Sequence, residues 1–141
     1  MKEKIYKLLL TEAKKSLKTN DVPVSAIIIE NGKVISKAHN SREKYNNVLK
    51  HAELIALEKA CKIKKNWHLD NCEIYITMEP CLMCLNAISQ SRIKKVYYLL
   101  PNNTYKKMQN TMNGKIELIQ IENEDTEINE ILKNFFKDKR K

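Results

Sequence analysis

Two short strings restrict the folds open to this chain: His51-Ala52-Glu53, and downstream of it Pro80-Cys81-Leu82-Met83-Cys84. The first offers an imidazole and a carboxylate, the second two thiols spaced at i and i+3, and neither makes a complete ion site alone. Brought together, His51, Cys81 and Cys84 form a soft N,S,S donor set that suits zinc better than magnesium or calcium. A structural zinc takes four protein ligands, whereas a catalytic zinc keeps one position for water and lowers that water's pKa to about 7. Three ligands plus Glu53, which need not bind the metal, describe the open kind of site. The alternative is a closed zinc knot completed by Cys61, Cys72, His39 or His68. An isolated Glu53 would read as a first-turn carboxylate serving a helix dipole. Its spacing from His51 and the cysteines downstream favours a proton-shuttling role instead.

The pattern between and around these strings alternates helix and strand. Ile5, Leu8, Leu9, Ala13 and Leu17 recur at helical spacing, predicting an amphipathic helix that ends near Thr19-Asn20. Residues 22–29 read as a strand, Asn31-Gly32 as a tight hairpin turn and residues 33–36 as its returning partner. A polar loop without periodicity follows, to about Val48. A helix then runs from Lys50 to about Lys62, opening with His51 and Glu53. Residues 73–77 form a central strand, and Pro80 in a first turn starts a helix reaching about Ser91. Residues 95–100 and 115–121 predict two more strands. Ile128, Ile131, Leu132, Phe135 and Phe136 predict a closing helix capped by Asp125 or Thr126. This order predicts one domain over 1–141, a three-layer α/β/α sandwich on a five-stranded mixed sheet. Two strand-to-helix junctions would then deliver His51 and the cysteines at neighbouring helix N-termini, where the dipoles favour thiolates.

Composition limits the classes further. Of 141 residues 43% are hydrophobic and 30% charged, which suits a soluble globular domain. No run reaches the roughly 20 apolar residues of a membrane span, and the charged start lacks the apolar stretch of a secretion signal, so a cytoplasmic protein is expected. In a reduced compartment Cys61 and Cys72 read as small core residues. With two glycines, phosphate-cradling loops are excluded. Lys and Arg outnumber Asp and Glu by 26 to 17, a net charge of +9 that favours a polyanionic partner, though a general richness in Lys, Asn and Ile accounts for it almost as well.

His-x-Glu followed by Pro-Cys-x-x-Cys is the signature of zinc-dependent nucleobase deaminases. Over most of its length the chain resembles the bacterial-type tRNA-specific adenosine deaminases of the cytidine deaminase superfamily. The resemblance runs through Asp21-Val22-Pro23-Val24 with Ala26, Asn40, His51-Ala52-Glu53, and Glu79 to Cys84. It continues in Ala87, Ser91-Arg92-Ile93 and the terminal Phe135-Phe136-Lys137. It implies a cytidine deaminase-like fold, one zinc per subunit on His51, Cys81 and Cys84, catalysis by Glu53, and a homodimer. The implied reaction turns the wobble adenosine of a tRNA anticodon into inosine. Asn40 would hydrogen-bond the purine, and the Ala52 backbone N–H would face its reacting edge. One of Phe135 and Phe136 is expected in the core and the other against RNA. Lys137, Lys139, Arg140 and Lys141 are expected to be either a solvated tail or phosphate contacts. The chain departs from the family pattern at Ser25, where glycine is usual, at Leu49-Lys50, and over 99–108, all expected around the substrate mouth.

Two other readings use the same residues. One is a deaminase of a free base or nucleoside such as guanine, cytosine or cytidine. The other is a zinc module that binds nucleic acid without turnover, which requires a fourth protein ligand.

Overall fold

The computed structural model describes residues 2–102, 116–121 and 127–139. In chain order the elements are α1 (Lys2–Leu17), β1 (Ser25–Glu30), β2 (Lys33–His39), α2 (Arg42–Tyr45), α3 (Ala52–Lys64), β3 (Cys72–Met78), α4 (Leu82–Gln90), β4 (Lys95–Leu100), β5 (Glu117–Gln120) and α5 (Glu127–Lys139). The strands form one five-stranded sheet in the order β2-β1-β3-β4-β5. Its first two pairings are antiparallel and its last two parallel, so the sheet is mixed. The hairpin turn is the expected one: Asn31 (φ 51°) and Gly32 (φ 79°) both take the left-handed conformation that a two-residue turn requires, and Glu30 pairs with Lys33.

Alternation along the strands sends side chains to two separate cores. On one face Ala26, Ile28, Ile74, Ile76 and Val96 pack with Ala52, Ala56, Leu57 and Ala60 of α3 and Ile88 of α4. On the other, Ile27, Ile29 and Leu99 pack with Ile5 and Leu9 of α1 and Ile128 and Leu132 of α5. The result is the expected α/β/α sandwich, with β1 buried on both faces. Alanines at 52, 56 and 60 let α3 lie close to the sheet, where the Ser36 hydroxyl donates to the Ala56 carbonyl at 2.9 Å. Small residues on that face therefore fix the depth at which His51 enters.

Several boundaries differ from expectation. Helix α1 stops at Leu17, because Asn20 turns the chain with φ 61°. The segment expected as a featureless loop contains α2, whose Glu43 and Lys44 N–H groups donate to the buried Asp21 carboxylate at 2.7 and 3.3 Å. The Thr19 hydroxyl adds a third bond, at 2.6 Å. This helix leaves no periodic trace in four residues, and its cap lies far upstream in sequence. His51 therefore follows a short helix and turn instead of a strand. Helix α4 begins two residues later than expected, at Leu82: Cys81 is its N-cap, and Pro80 sits outside the first turn. A residue before proline is disfavoured in the helical region, so Glu79 and Pro80 link the end of β3 at Met78 to the N-cap Cys81. The proposed caps Asp125 and Thr126, and positions 103–108 of the divergent segment, lie outside the described residues.

Ser25 is corrected as well. It is fully buried, its hydroxyl donating to the Leu9 carbonyl at 2.6 Å and its N–H to Thr77 Oγ1 at 3.0 Å, so it ties α1 to the sheet and is not at a mouth. Because Asp21 satisfies three donors in a buried place, Asp21→Ala is expected to cost about 2 kcal/mol of folding stability. Urea unfolding of the variant against the parent measures it, and an unchanged midpoint would show that α2 holds itself.

Candidate active site

The N-termini of α3 and α4 meet on one face of the sheet. His51 is the N-cap of α3 (φ −78°, ψ 146°) and Cys81 the N-cap of α4 (φ −71°, ψ 170°), with Cys84 in the first turn of α4. His51 Nδ1 lies 3.4 Å from Cys84 Sγ and 3.9 Å from Cys81 Sγ, and one donor atom from each of the three residues lies within 4.8 Å of the others. The other candidates for a closed knot are elsewhere. His39 Nδ1 contacts Glu12 Oε2 at 3.0 Å, His68 packs on Trp67, and Cys72 Sγ is 3.9 Å from Glu30 Oε2. Cys61 is half-buried, and burial pushes both its thiol and that of Cys72 up. Among the described residues, the only grouping of three such side chains close enough to hold an ion is His51, Cys81 and Cys84.

The electrostatics of the cluster fit a divalent cation. A hydrogen bond from Cys84, with a further one from His51, lowers Cys81 to about 4, whereas the same Cys81 contact and burial raise Cys84. Hydrogen bonding to Cys81 raises His51. Three donor atoms crowded this closely compete for protons, an arrangement a metal relieves by binding their deprotonated forms. The helix N-termini add positive potential that favours the thiolates.

Glu53 stands in the first turn of α3, 4% exposed, and its Oε1 has no hydrogen-bond partner among the described residues. Burial raises its pKa despite a compensating backbone hydrogen bond and the nearby His51. An unpaired buried carboxylate oxygen costs stability, and such groups persist where a ligand or reacting group supplies the partner. Asn40 is buried beside it in the chain path. Its N–H donates to the Val24 carbonyl (3.0 Å), its carbonyl accepts from Ser16 Oγ (2.8 Å), and its Oδ1 accepts from the Ala52 N–H (2.7 Å). The Ala52 N–H, expected to face a substrate, is engaged with Asn40.

Three supporting residues carried no stated role in the sequence, although Asp21 and Glu79 lie within the stretches of resemblance. Asp21 anchors the segment leading into His51, and Ser16 holds the Asn40 carbonyl. Glu79 Oε1 accepts from the Asn102 N–H at 3.0 Å, joining the start of the cysteine segment to the end of β4. Each is an ordinary polar side chain whose partner lies far off in sequence or on a backbone group, a pairing that spacing does not reveal. Near the ends of β3 and β4, a cavity of about 490 Å³ is lined by Met78, Leu100, Pro101, Asn129, Leu132, Lys133, Phe136 and Lys137. Phe135 is half-buried and Phe136 is 42% exposed, with their rings edge to face at 5.6 Å.

Fold and site together define a cytidine deaminase-like domain. The chain belongs to the MafB19-like deaminase family, whose model matches residues 1–140. A tRNA-specific adenosine deaminase of Aquifex aeolicus is 45% identical over 97 residues, which are 69% of this chain and 64% of that protein. One from Bacillus subtilis is 38% identical over 96 residues, covering 68% and 60%. The chain thus spans somewhat less than two thirds of the length of these relatives. A structure from studies of A-to-I editing by tRNA:A34 deaminases at the wobble position of transfer RNA superposes with a TM-score of 0.79 at 29% identity, covering 90% of this chain and 97% of that one. Guanine deaminase from Bacillus subtilis superposes at 0.64 with 31% identity, covering 73% and 68%.

Proposed function

We propose that this single domain is a zinc-dependent hydrolase that converts adenosine to inosine at the wobble position of a tRNA anticodon. The observation that carries this reading is the buried Glu53 oxygen, without a partner among the described residues, beside the donor set of His51, Cys81 and Cys84. Zinc held by these three residues supplies a Lewis acid that makes water nucleophilic near neutral pH. Glu53 accepts a proton from the water that attacks C6 of the purine and delivers it to N1. The C6–N bond then breaks, and the second water proton leaves with ammonia, so adenosine and water become inosine and ammonia. Asn40, oriented by the Ala52 N–H, turns its Nδ2 hydrogens to the purine; Ala52 contributes by fixing Asn40.

The names of the relatives and the tRNA:A34 deaminase neighbour support an anticodon substrate. An anticodon loop already presents unstacked bases, so placing one in a pocket costs little. The cavity lined by Met78, Lys133, Lys137 and the exposed Phe136, among others, offers flanking nucleotides an apolar surface and cations. Exposed apolar side chains at Tyr45, Val48 and Leu49, just before His51, support a homodimer. Among the described residues no helix is long and apolar enough to cross a membrane, and a tRNA substrate is met in the cytoplasm.

The guanine deaminase neighbour supports a second reading, deamination of a free base such as guanine at the same site. The two separate in one assay, in which the protein is incubated with an anticodon stem-loop carrying a wobble adenosine and, in parallel, with guanine, cytosine and cytidine. Inosine in the RNA and no ammonia from the free compounds is the expected result. Ammonia from guanine with unmodified RNA would replace the first reading by the second.

A further inference from the structure

The ends of α3 and α4 remote from the site carry the chain's single tryptophan, Trp67, which is 58% exposed and close in sequence to Ile63, 62% exposed. A helix as long as α3 sets this face about 20 Å from His51. The ring does not hang loose. The Arg92 guanidinium lies over it at 5.4 Å, and the His68 ring meets its edge at 3.8 Å. The loop is tied on both sides: Asn66 N–H donates to the Cys61 carbonyl (3.1 Å), His68 N–H to Asn66 Oδ1 (3.0 Å), and Leu69 N–H to the Ser91 carbonyl (2.8 Å). Arg92 itself has φ 73°, a conformation unfavourable for a residue with a Cβ. Backbone strain and three anchoring bonds therefore hold an aromatic ring and a guanidinium together at the surface, where burial gains little.

Around this pair the exposed charges are mostly positive. On the segments that carry the pair, Lys62, Lys65, Lys94 and Lys95 are exposed, with Asp70 the exposed acid of the Trp67 loop, Glu58 3.8 Å from Lys62 and the exposed Glu117 opposite Lys95 in the sheet; Lys64 is paired with Glu30. A protein partner favours a contact whose centre is depleted of charge. An exposed aromatic face with a guanidinium on it and further cations on its flanking segments is instead the arrangement that stacks bases of any sequence and grips the adjoining phosphates. We propose that this face is a second RNA-docking surface, on which an unpaired base stacks against Trp67 opposite Arg92 while Lys65, Lys94 and Lys95 hold the flanking phosphates. The inference rests on the reading that the substrate is RNA.

A single tryptophan makes the test direct. The full chain is titrated with an oligouridylate of about ten nucleotides, which holds no adenosine for the proposed reaction, while tryptophan emission is recorded. Saturable quenching that weakens with salt is expected. By anisotropy of a labelled oligouridylate, Trp67→Ala should bind about tenfold more weakly and Trp67→Phe should regain most of the loss. Lys94→Ala combined with Lys95→Ala should flatten the slope of log affinity against log salt by about 1.4. Unchanged emission of the parent protein overturns the proposal, as does equal quenching by polyglutamate, which would mark a surface for acidic protein. Because no turnover is read, loss of quenching with deamination intact refutes this surface alone. Quenching without deamination leaves it standing and sinks the proposed activity.

Discussion

Glu53→Gln is expected to lower inosine formation by about three orders of magnitude while leaving the protein folded and its metal content unchanged. The amide keeps the shape of the side chain but can neither accept the proton of the attacking water nor pass it to the purine, and general acid–base catalysis is worth about 10²–10⁴-fold. Glu53 is not part of the donor set, so metal analysis of the purified variant should match the parent. Stability should hold or rise, because the substitution removes a buried carboxylate whose Oε1 has no partner among the described residues. Melting curves, metal content and single-turnover inosine assays on one preparation separate these effects. Turnover within a few-fold of the parent would remove Glu53 from the mechanism.

Cys84→Ala is expected to lose metal and activity together. Cys84 is fully buried, and its sulfur lies nearest to His51 Nδ1, so its removal leaves two ligands, which hold zinc far less tightly. Altering a group that merely supports a ligand costs about 10–100-fold in affinity, and deleting a ligand outright should exceed that. The parent should also melt higher with added zinc than after chelation, since a ligand that binds the folded form stabilises it, and Cys84→Ala should not respond. Cys72→Ala serves as the comparison. It removes a buried thiol of the core with no place in the donor set, and should destabilise without altering metal content. Full metal occupancy in Cys84→Ala would mean that the ion sits elsewhere.

The parts of the molecule readable from the sequence are those whose determinants are local. The Asn31-Gly32 turn requires two left-handed residues and has them, and the strands alternate at period two. The grouping of His51 with Cys81 and Cys84 is legible because thiols at i and i+3 at a helix start share one face. What the sequence concealed depends on distant contacts. Asp21 caps α2 across 22 positions, and Ser25 meets Leu9 on α1, so neither pattern nor spacing announces its role. The same reason explains the shifted start of α4: whether Pro80 lies inside or before the first turn is decided by how far β3 continues, a property of the sheet.

The groups proposed for chemistry and those proposed for recognition are mounted on different kinds of support. His51, Glu53, Cys81 and Cys84 ride on two rods braced against a common wall, with Asn40 bonded to the start of one of them, while the exposed residues of the 41–50 segment and the outer face of α5 lie at the margins. Replacing the margins need not disturb the rods. A scaffold divided in this way leaves its exposed peripheral residues, such as Leu49, open to exchange without moving the paired helix starts.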